Sequence, residues 1–247
     1  MDYSSVVSRI SPSIAKIFCF DNENQLTGTG SGFLYSKKGI LVTCDHVVAG
    51  SNGLICKFSD AGDVHPAKIA VRDPEHDITL LKIDVDRPPL AGLSAESANS
   101  ICAGMPVLFS GYPLSLNVLT THQGILSAIT ADAVGITTYL IDGTVNSGNS
   151  GCPLMNKKGE VLGVVNAKRQ ERSDLLSKVR AMSIGAISLH GIDLVEIYQA
   201  IISNVQLGIG HAVPSSYIPE HKEMPQAVTK HPVSSPSLSP EPQGGTK

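Results

Sequence analysis

Short runs rich in Val, Ile, Leu and Thr recur along this chain between Gly, Pro, Asn and Asp signals, the pattern of an all-β protein. They predict strands at Ile14–Phe20, Gly32–Tyr35, Ile40–Thr43, Leu54–Phe58, Ala67–Val71 and Ile78–Ile83. A second series follows at Val107–Ser110, Gly124–Ala131, Val161–Asn166 and Gly208–Val213. One stretch breaks the pattern. Leu194, Val195, Ile197, Tyr198, Ile201, Ile202 and Val205 recur at helical spacing, and Asp193 ahead of Glu196 reads as a capping box, so a helix is expected over 191–205. The segment 167–191 before it is a long connection that either shapes a cleft or runs over the surface. From His221 prolines alternate with serines among few apolar residues. Such a segment cannot offset its ordering entropy, and 221–247 is read as a disordered tail.

Composition narrows the partners. A chain of 247 residues can form one large all-β domain or two small lobes with a buried core. Trp is absent and the net charge is −3, which argues against nucleic acid or an anionic membrane as main partner. No apolar run approaches the ~18 residues of a membrane span. The start Met1-Asp2-Tyr3-Ser4-Ser5 has neither the basic residues nor the apolar stretch of a secretory signal, and the five cysteines form no paired pattern. Both point to a cytoplasmic protein with free cysteines used as small buried hydrophobes. No Cys-x-x-Cys or His-x-x-x-His spacing occurs, so neither a metal nor a cofactor is expected.

The chemistry lies in Asn146-Ser147-Gly148-Asn149-Ser150-Gly151-Cys152-Pro153-Leu154. A serine between glycines can sit on a tight turn whose N–H groups converge beside its hydroxyl, although such a stretch can equally be a plain surface turn. A hydroxyl nucleophile needs a base, and the base needs an orienting carboxylate. Thr43-Cys44-Asp45-His46-Val47-Val48 puts a histidine at the end of a strand, and Asp77 precedes the apolar run Ile78-Thr79-Leu80-Leu81-Lys82-Ile83. His76, His122, His190 and His211 compete with His46, as Asp73 and Glu75 compete with Asp77. The order His46, Asp77, Ser150 is that of the trypsin-like template and not of the nucleophile-elbow hydrolases.

With their surroundings these residues resemble trypsin-like serine proteases of the HtrA (Deg) type. That family reads roughly Gly-Ser-Gly-Phe, Thr-x-x-His-Val-Val, Asp-Ile-Ala-Leu-Leu-Lys-Ile and Gly-Asn-Ser-Gly-Gly-Pro-Leu. This chain has Gly30-Ser31-Gly32-Phe33, Thr43 to Val48, Asp77 to Ile83 and Gly148 to Leu154, in the family's order. Gln123-Gly124-Ile125-Leu126-Ser127-Ala128 and Gly208-Ile209-Gly210-His211-Ala212-Val213-Pro214 extend the match over about residues 5 to 218.

The resemblance implies a chymotrypsin-like fold: two packed six-stranded β-barrels, about 10–90 and 100–220 within a protease domain 1–220, joined near Arg87–Ser100. It implies a serine endopeptidase with Ser150 as nucleophile, His46 as base then acid, and Asp77 orienting His46. Backbone N–H groups of Gly148 and Ser150 would form the oxyanion hole. Thr144 and Val145 would make the base and wall of the primary pocket, and Asn166, Ala167 and Lys168 would pair with a protein or peptide substrate. His211 stands where the family has an aromatic residue and is expected to face the pocket, which sets a polar or acidic preference against a small apolar one. Cys152 replaces a glycine, either as a tolerated small side chain or as a redox-sensitive one. No PDZ domain fits after the protease. The alternative function is a protease-like binding or regulatory module, latent or inactive until a partner orders the site; a third is a protease component of a larger assembly, attached through the 191–205 helix or the tail.

Overall fold

The first strand, β1 (Ile14–Phe20), is buried along its whole length because its two faces serve different cores. Ala15, Ile17 and Cys19 point into one barrel, Ile14 faces the seam between two barrels, and Phe18 and Phe20 pack outside with Ile55. Lys16 is carried under with them, its ammonium donating to Asn117 Oδ1 at 2.8 Å. The computed structural model describes residues 2–35, 39–59, 62, 64–131, 134–167, 182, 183, 185, 188–197 and 209–219.

β1 continues into β2 (Leu26–Leu34), β3 (Ile40–Thr43), β4 (Gly53–Phe58), β5 (Val64–Asp73) and β6 (Ile78–Ile83). These close into an antiparallel barrel in the order β1-β2-β3-β6-β5-β4. The second barrel holds β7 (Pro106–Gly111), β8 (Thr120–Ala131), β9 (Thr137–Asp142), β10 (Pro153–Met155) and β11 (Val161–Asn166). A small hairpin, β12 (Ser188–Leu189) with β13 (Ile192–Asp193), precedes the last strand, β14 (Ile209–Pro214). The barrel order is β10-β11-β14-β9-β8-β7. Closure leaves neither barrel with an unpaired edge. Each has its own apolar interior, and a third cluster joins them: Phe33, Val42 and Leu80 from the first meet Leu108, Val164 and Val213 from the second. Burying each such side chain is worth about 1.5–3 kcal/mol, so the seam is a structural contact and not a hinge.

The expected two-barrel architecture is present. β1, β3, β6 and β11 have the predicted bounds, and the other predicted strands are one to five residues longer or shifted by one. Four strands, β9, β10 and the β12–β13 hairpin, were not anticipated. The expectation of a single helix is corrected by three further short ones: α1 (Ser4–Ile10), α2 (Asp45–Val48) and α3 (Ala95–Asn99). α3 lies in the crossover, where Ser94 Oγ accepts from Ser97 N–H as an N-cap. Before it, Leu90 N–H donates to Leu34 at 2.8 Å and ties the crossover to the first barrel.

The helix expected over 191–205 starts later. Residues 192 and 193 belong to β13, whose hairpin turns through His190 and Gly191, both at positive φ. Helix begins at Leu194, and Asp193 Oδ1 accepts from the N–H groups of Val195 at 2.8 Å and Glu196 at 3.3 Å. Residues 198–205 of the expected helix, most of the 167–191 connection and the 221–247 tail lie outside the described residues.

Candidate active site

Three segments from the two barrels converge. β3 ends at Thr43, and α2 then turns the chain so that His46 leaves the first barrel toward the second. The β5–β6 connection carries Asp77 at φ 55°, a left-handed conformation that aspartate adopts more readily than most residues with a side chain. Ser150 comes from the loop between β9 and β10.

Their side chains form one chain of hydrogen bonds. Asp77 Oδ1 accepts from His46 N–H at 2.8 Å, and Asp77 Oδ2 lies 2.6 Å from His46 Nδ1. His46 Nε2 lies 2.9 Å from Ser150 Oγ. An ionised carboxylate only accepts, so it selects the imidazole tautomer protonated on Nδ1 and leaves Nε2 to accept the serine proton. Asn166, at the end of β11, donates its amide to Asp77 Oδ2 at 2.7 Å, and Ala167 N–H donates to Ser150 Oγ at 3.2 Å. The imidazole and carboxylate are 18% and 23% exposed.

The serine loop is set by two glycines at positive φ, Gly148 at 92° and Gly151 at 87°. A Cβ on Gly148 would sit 2.3 Å from the Tyr112 carbonyl, and one on Gly151 2.2 Å from the Ser31 carbonyl. Both positions therefore admit only glycine. The Ser147 carbonyl accepts from Leu114 N–H at 2.7 Å, which turns the Gly148 N–H of the same trans peptide the other way. The Gly148 carbonyl accepts from Ser31 Oγ at 2.6 Å, and that hydroxyl accepts in turn from Tyr112 N–H at 2.9 Å. Among the described residues the N–H groups of Gly148 and Ser150 meet no protein acceptor.

Ser31, Tyr112, Asp45 and the Asn166 amide were not singled out from sequence. Ser31 lay in a quoted motif, Gly30-Ser31-Gly32-Phe33, but its contact is with a residue 117 positions away. Asn166 was expected only to pair with substrate through its strand, not to hold Asp77.

The pocket residues divide. Val145 packs against the second-barrel interior, and a Cβ on Gly210 would meet Val145 Cγ2 at 2.3 Å. Ala212 shares that interior, so Gly210 and Ala212 present the same face of β14. Strand alternation sends His211 to the opposite face, which Val213 extends into the seam. His211, expected to face the pocket, thus lies on the face of β14 opposite Gly210 and Ala212. Thr144 is exposed beside Val145, and Lys168 lies outside the described residues.

Cys44, His46 and Asp77 offer three ligand atoms within 4.8 Å of one another. The Cys44 thiol donates to the Val165 carbonyl, and burial followed by the Asp77 charge pushes it well above the usual thiol range. His46 Nδ1 and Asp77 Oδ2 are already engaged with each other. The group reads as a hydrogen-bonded framework and not as a metal centre. Cys152 is fully buried, and burial pushes its thiol up as well, so the structure favours the packing reading over the redox one.

Residues 30–164 match the model of the trypsin-like peptidase domain. A Pseudomonas putida protein named probable periplasmic serine endoprotease DegP-like is 35% identical over 148 residues, 58% of this chain and 30% of the relative. Its Pseudomonas fluorescens namesake is 33% identical over 147 residues, again 58% and 30%. The chain thus spans about a third of the length of the curated relatives it matches. Among solved structures, the HtrA-type protease AlgW with tripeptide is 26% identical with a TM-score of 0.63, over 87% of this chain and 60% of that one. The serine endoprotease from Yersinia pestis shares the fold, with a TM-score of 0.62 at 24% identity over 88% and 64%.

These relatives correct one expectation. They are named periplasmic, which overturns the cytoplasmic placement. The cysteines were a poor guide to compartment: Cys19, Cys44, Cys56 and Cys152 are buried packing residues, and Cys102 is exposed and free.

Proposed function

Because this chain belongs to the family of trypsin-like peptidase domains, we propose that it is a serine endopeptidase that hydrolyses peptide bonds in protein substrates. The observation that carries this reading is His46, which spans Asp77 at 2.6 Å and Ser150 at 2.9 Å. In the proposed mechanism His46 Nε2 takes the Ser150 proton as Oγ attacks the scissile carbonyl carbon. The same nitrogen then gives that proton to the leaving amine, and water repeats the cycle on the acyl-enzyme. Asp77 holds the tautomer and stabilises the imidazolium, and the N–H groups of Gly148 and Ser150 receive the oxyanion. One such donor is typically worth about a hundred- to a thousandfold in rate.

Substrate recognition follows from the same loop. The end of β11, at Asn166 and Ala167, is the strand against which the substrate backbone would pair. Thr144 and Val145 would line the primary pocket together with Gly210 and Ala212. Val145 and Ala212 are apolar and no acidic side chain stands among the four, so a small or medium apolar residue is preferred before the scissile bond. The relatives' periplasmic names make proteins of that compartment the first substrates to try.

Labelling with a fluorophosphonate probe tests the reading. Folded protein should react, and Ser150→Ala and heat-denatured protein should not. Folded protein that stays unlabelled, or labelling that persists in Ser150→Ala, would overturn it.

A further inference from the structure

The helical turn that carries His46 is fastened by a second carboxylate to the hairpin that carries Asp77. Asp45 Oδ1 accepts from Arg72 Nε at 2.6 Å and from Thr79 Oγ1 at 2.7 Å, and Asp45 Oδ2 accepts from Arg72 Nη2 at 2.7 Å. Arg72 and Thr79 are direct cross-strand partners on β5 and β6, so the two donors stand on either side of Asp77 in the hairpin. The backbone adds a parallel link. Asp45 N–H donates to the Asp77 carbonyl at 3.1 Å, next to the bond from His46 N–H to Asp77 Oδ1. The Asp45 side chain is 9% exposed, whereas Arg72 is 42% exposed and reaches in from solvent.

We infer that Asp45 and Arg72 are positioning residues for the proposed reaction, locking the His46 turn onto the Asp77 hairpin while Arg72 cancels the field of Asp45 at the imidazole. The inference rests on the reading of His46 as the base. A guanidinium gripping a carboxylate with two parallel N–H groups fixes direction as well as distance. Asp45 carries a negative charge one residue from the imidazole, and left uncompensated it would favour imidazolium and withdraw the base. The other groups around His46 are Asp77 on the hairpin, the Cys44 thiol on its own turn, held neutral by burial, and the Ser150 hydroxyl across the cleft. Farther along the hairpin, Asp73 and His76 are paired with each other at 2.7 Å.

The test separates an electrostatic role from a merely structural one by sign. In Arg72→Met the acidic limb of kcat/KM should move to higher pH, costing about threefold in rate on that limb. In Asp45→Asn, which leaves Arg72 alone near the imidazole, the limb should move to lower pH by a similar factor. Asp45→Asn with Arg72→Met should return it close to wild type. Arg72→Lys keeps the charge without the two-pronged grip, so it should keep the limb and lower kcat. An NMR titration of the His46 imidazole reads the same shifts without turnover. Opposed shifts in a protein that cleaves nothing would keep the brace and remove the proposed reaction. Shifts in one direction, or none in folded variants, would overturn the inference.

Discussion

Asn166 donates its side-chain amide to Asp77 Oδ2 at 2.7 Å, on the same oxygen that faces His46 Nδ1. The second barrel therefore helps to aim a carboxylate supplied by the first. A hydrogen bond to a charged group is worth about 1.5–3 kcal/mol, so Asn166→Ala should lower kcat by about ten- to a hundredfold. KM should change little, since in the proposed mode the substrate would pair with the backbone here and not with the amide. Steady-state kinetics on a peptide substrate checks this, and a pure KM effect would contradict it.

Gly148 is expected to be more demanding than its size suggests. Its φ of 92° and the 2.3 Å approach of a Cβ to the Tyr112 carbonyl mean that any side chain must turn the peptide away from the serine. Gly148→Ala should lose about a hundred- to a thousandfold in kcat while both barrels stay folded. Circular dichroism alongside the kinetics separates the two effects. A variant that loses structure in step with activity would argue against a local role.

What was legible in the sequence follows from what kind of signal each feature leaves. β1, β3, β6 and β11 are dense apolar runs bounded by polar residues, and they show directly. β10 is three residues long and merges with the serine loop, and β9 mixes buried with half-buried positions, so neither gives a clear period. α2 is one turn long and too short for helical periodicity. The site was legible where a motif is contiguous, as at His46, Asp77 and Ser150. It was not where a contact joins distant positions, as with Ser31 and Gly148 or Asp45 and Arg72. The face of His211 was not legible, because a motif gives a residue's position in a strand but not the strand's outward face, which only the register with β11 and β9 decides.

The Asp45 carboxylate should leave its mark on acid stability. The Arg72 hydrogen bonds hold it below the ordinary aspartate value of 3.8, with Thr79 adding to the effect against the opposing cost of burial. A carboxylate that ionises more easily folded than unfolded contributes stability in full above its unfolded value. That contribution is lost as pH falls through the folded one. Wild type should therefore melt above Asp45→Asn at neutral pH, by about 2–4 °C, the shift roughly 1 kcal/mol makes in a domain of this size. Below about pH 4 the two melting temperatures should converge. A gap that persists unchanged at low pH would assign the effect to packing instead.

Thiol chemistry should single out Cys102. It is exposed, whereas Cys19, Cys44, Cys56 and Cys152 are buried and burial raises each of those four thiols. Native protein should react with iodoacetamide at Cys102 alone, and denatured protein at all five cysteines. Peroxide should leave activity equal in wild type and Cys152→Ala. Mass spectrometry that finds Cys152 modified in folded protein would revive a redox role for the residue behind Ser150.

The pocket prediction turns on which face of β14 the substrate meets. A Cβ at position 210 would lie 2.3 Å from Val145 Cγ2, so it would push Val145 toward the space proposed for the residue before the scissile bond. Gly210→Ala should therefore penalise larger substrates more than small ones. One methylene in an apolar pocket is worth about tenfold or more in kcat/KM, so cleavage after Leu or Val should fall by that factor relative to cleavage after Ala. His211 points to the other face, so His211→Phe should leave the preference as it is. Profiling both variants on one peptide library distinguishes the faces. If His211→Phe changes the preference and Gly210→Ala does not, the pocket lies on the side of the strand that alternation assigns to the seam.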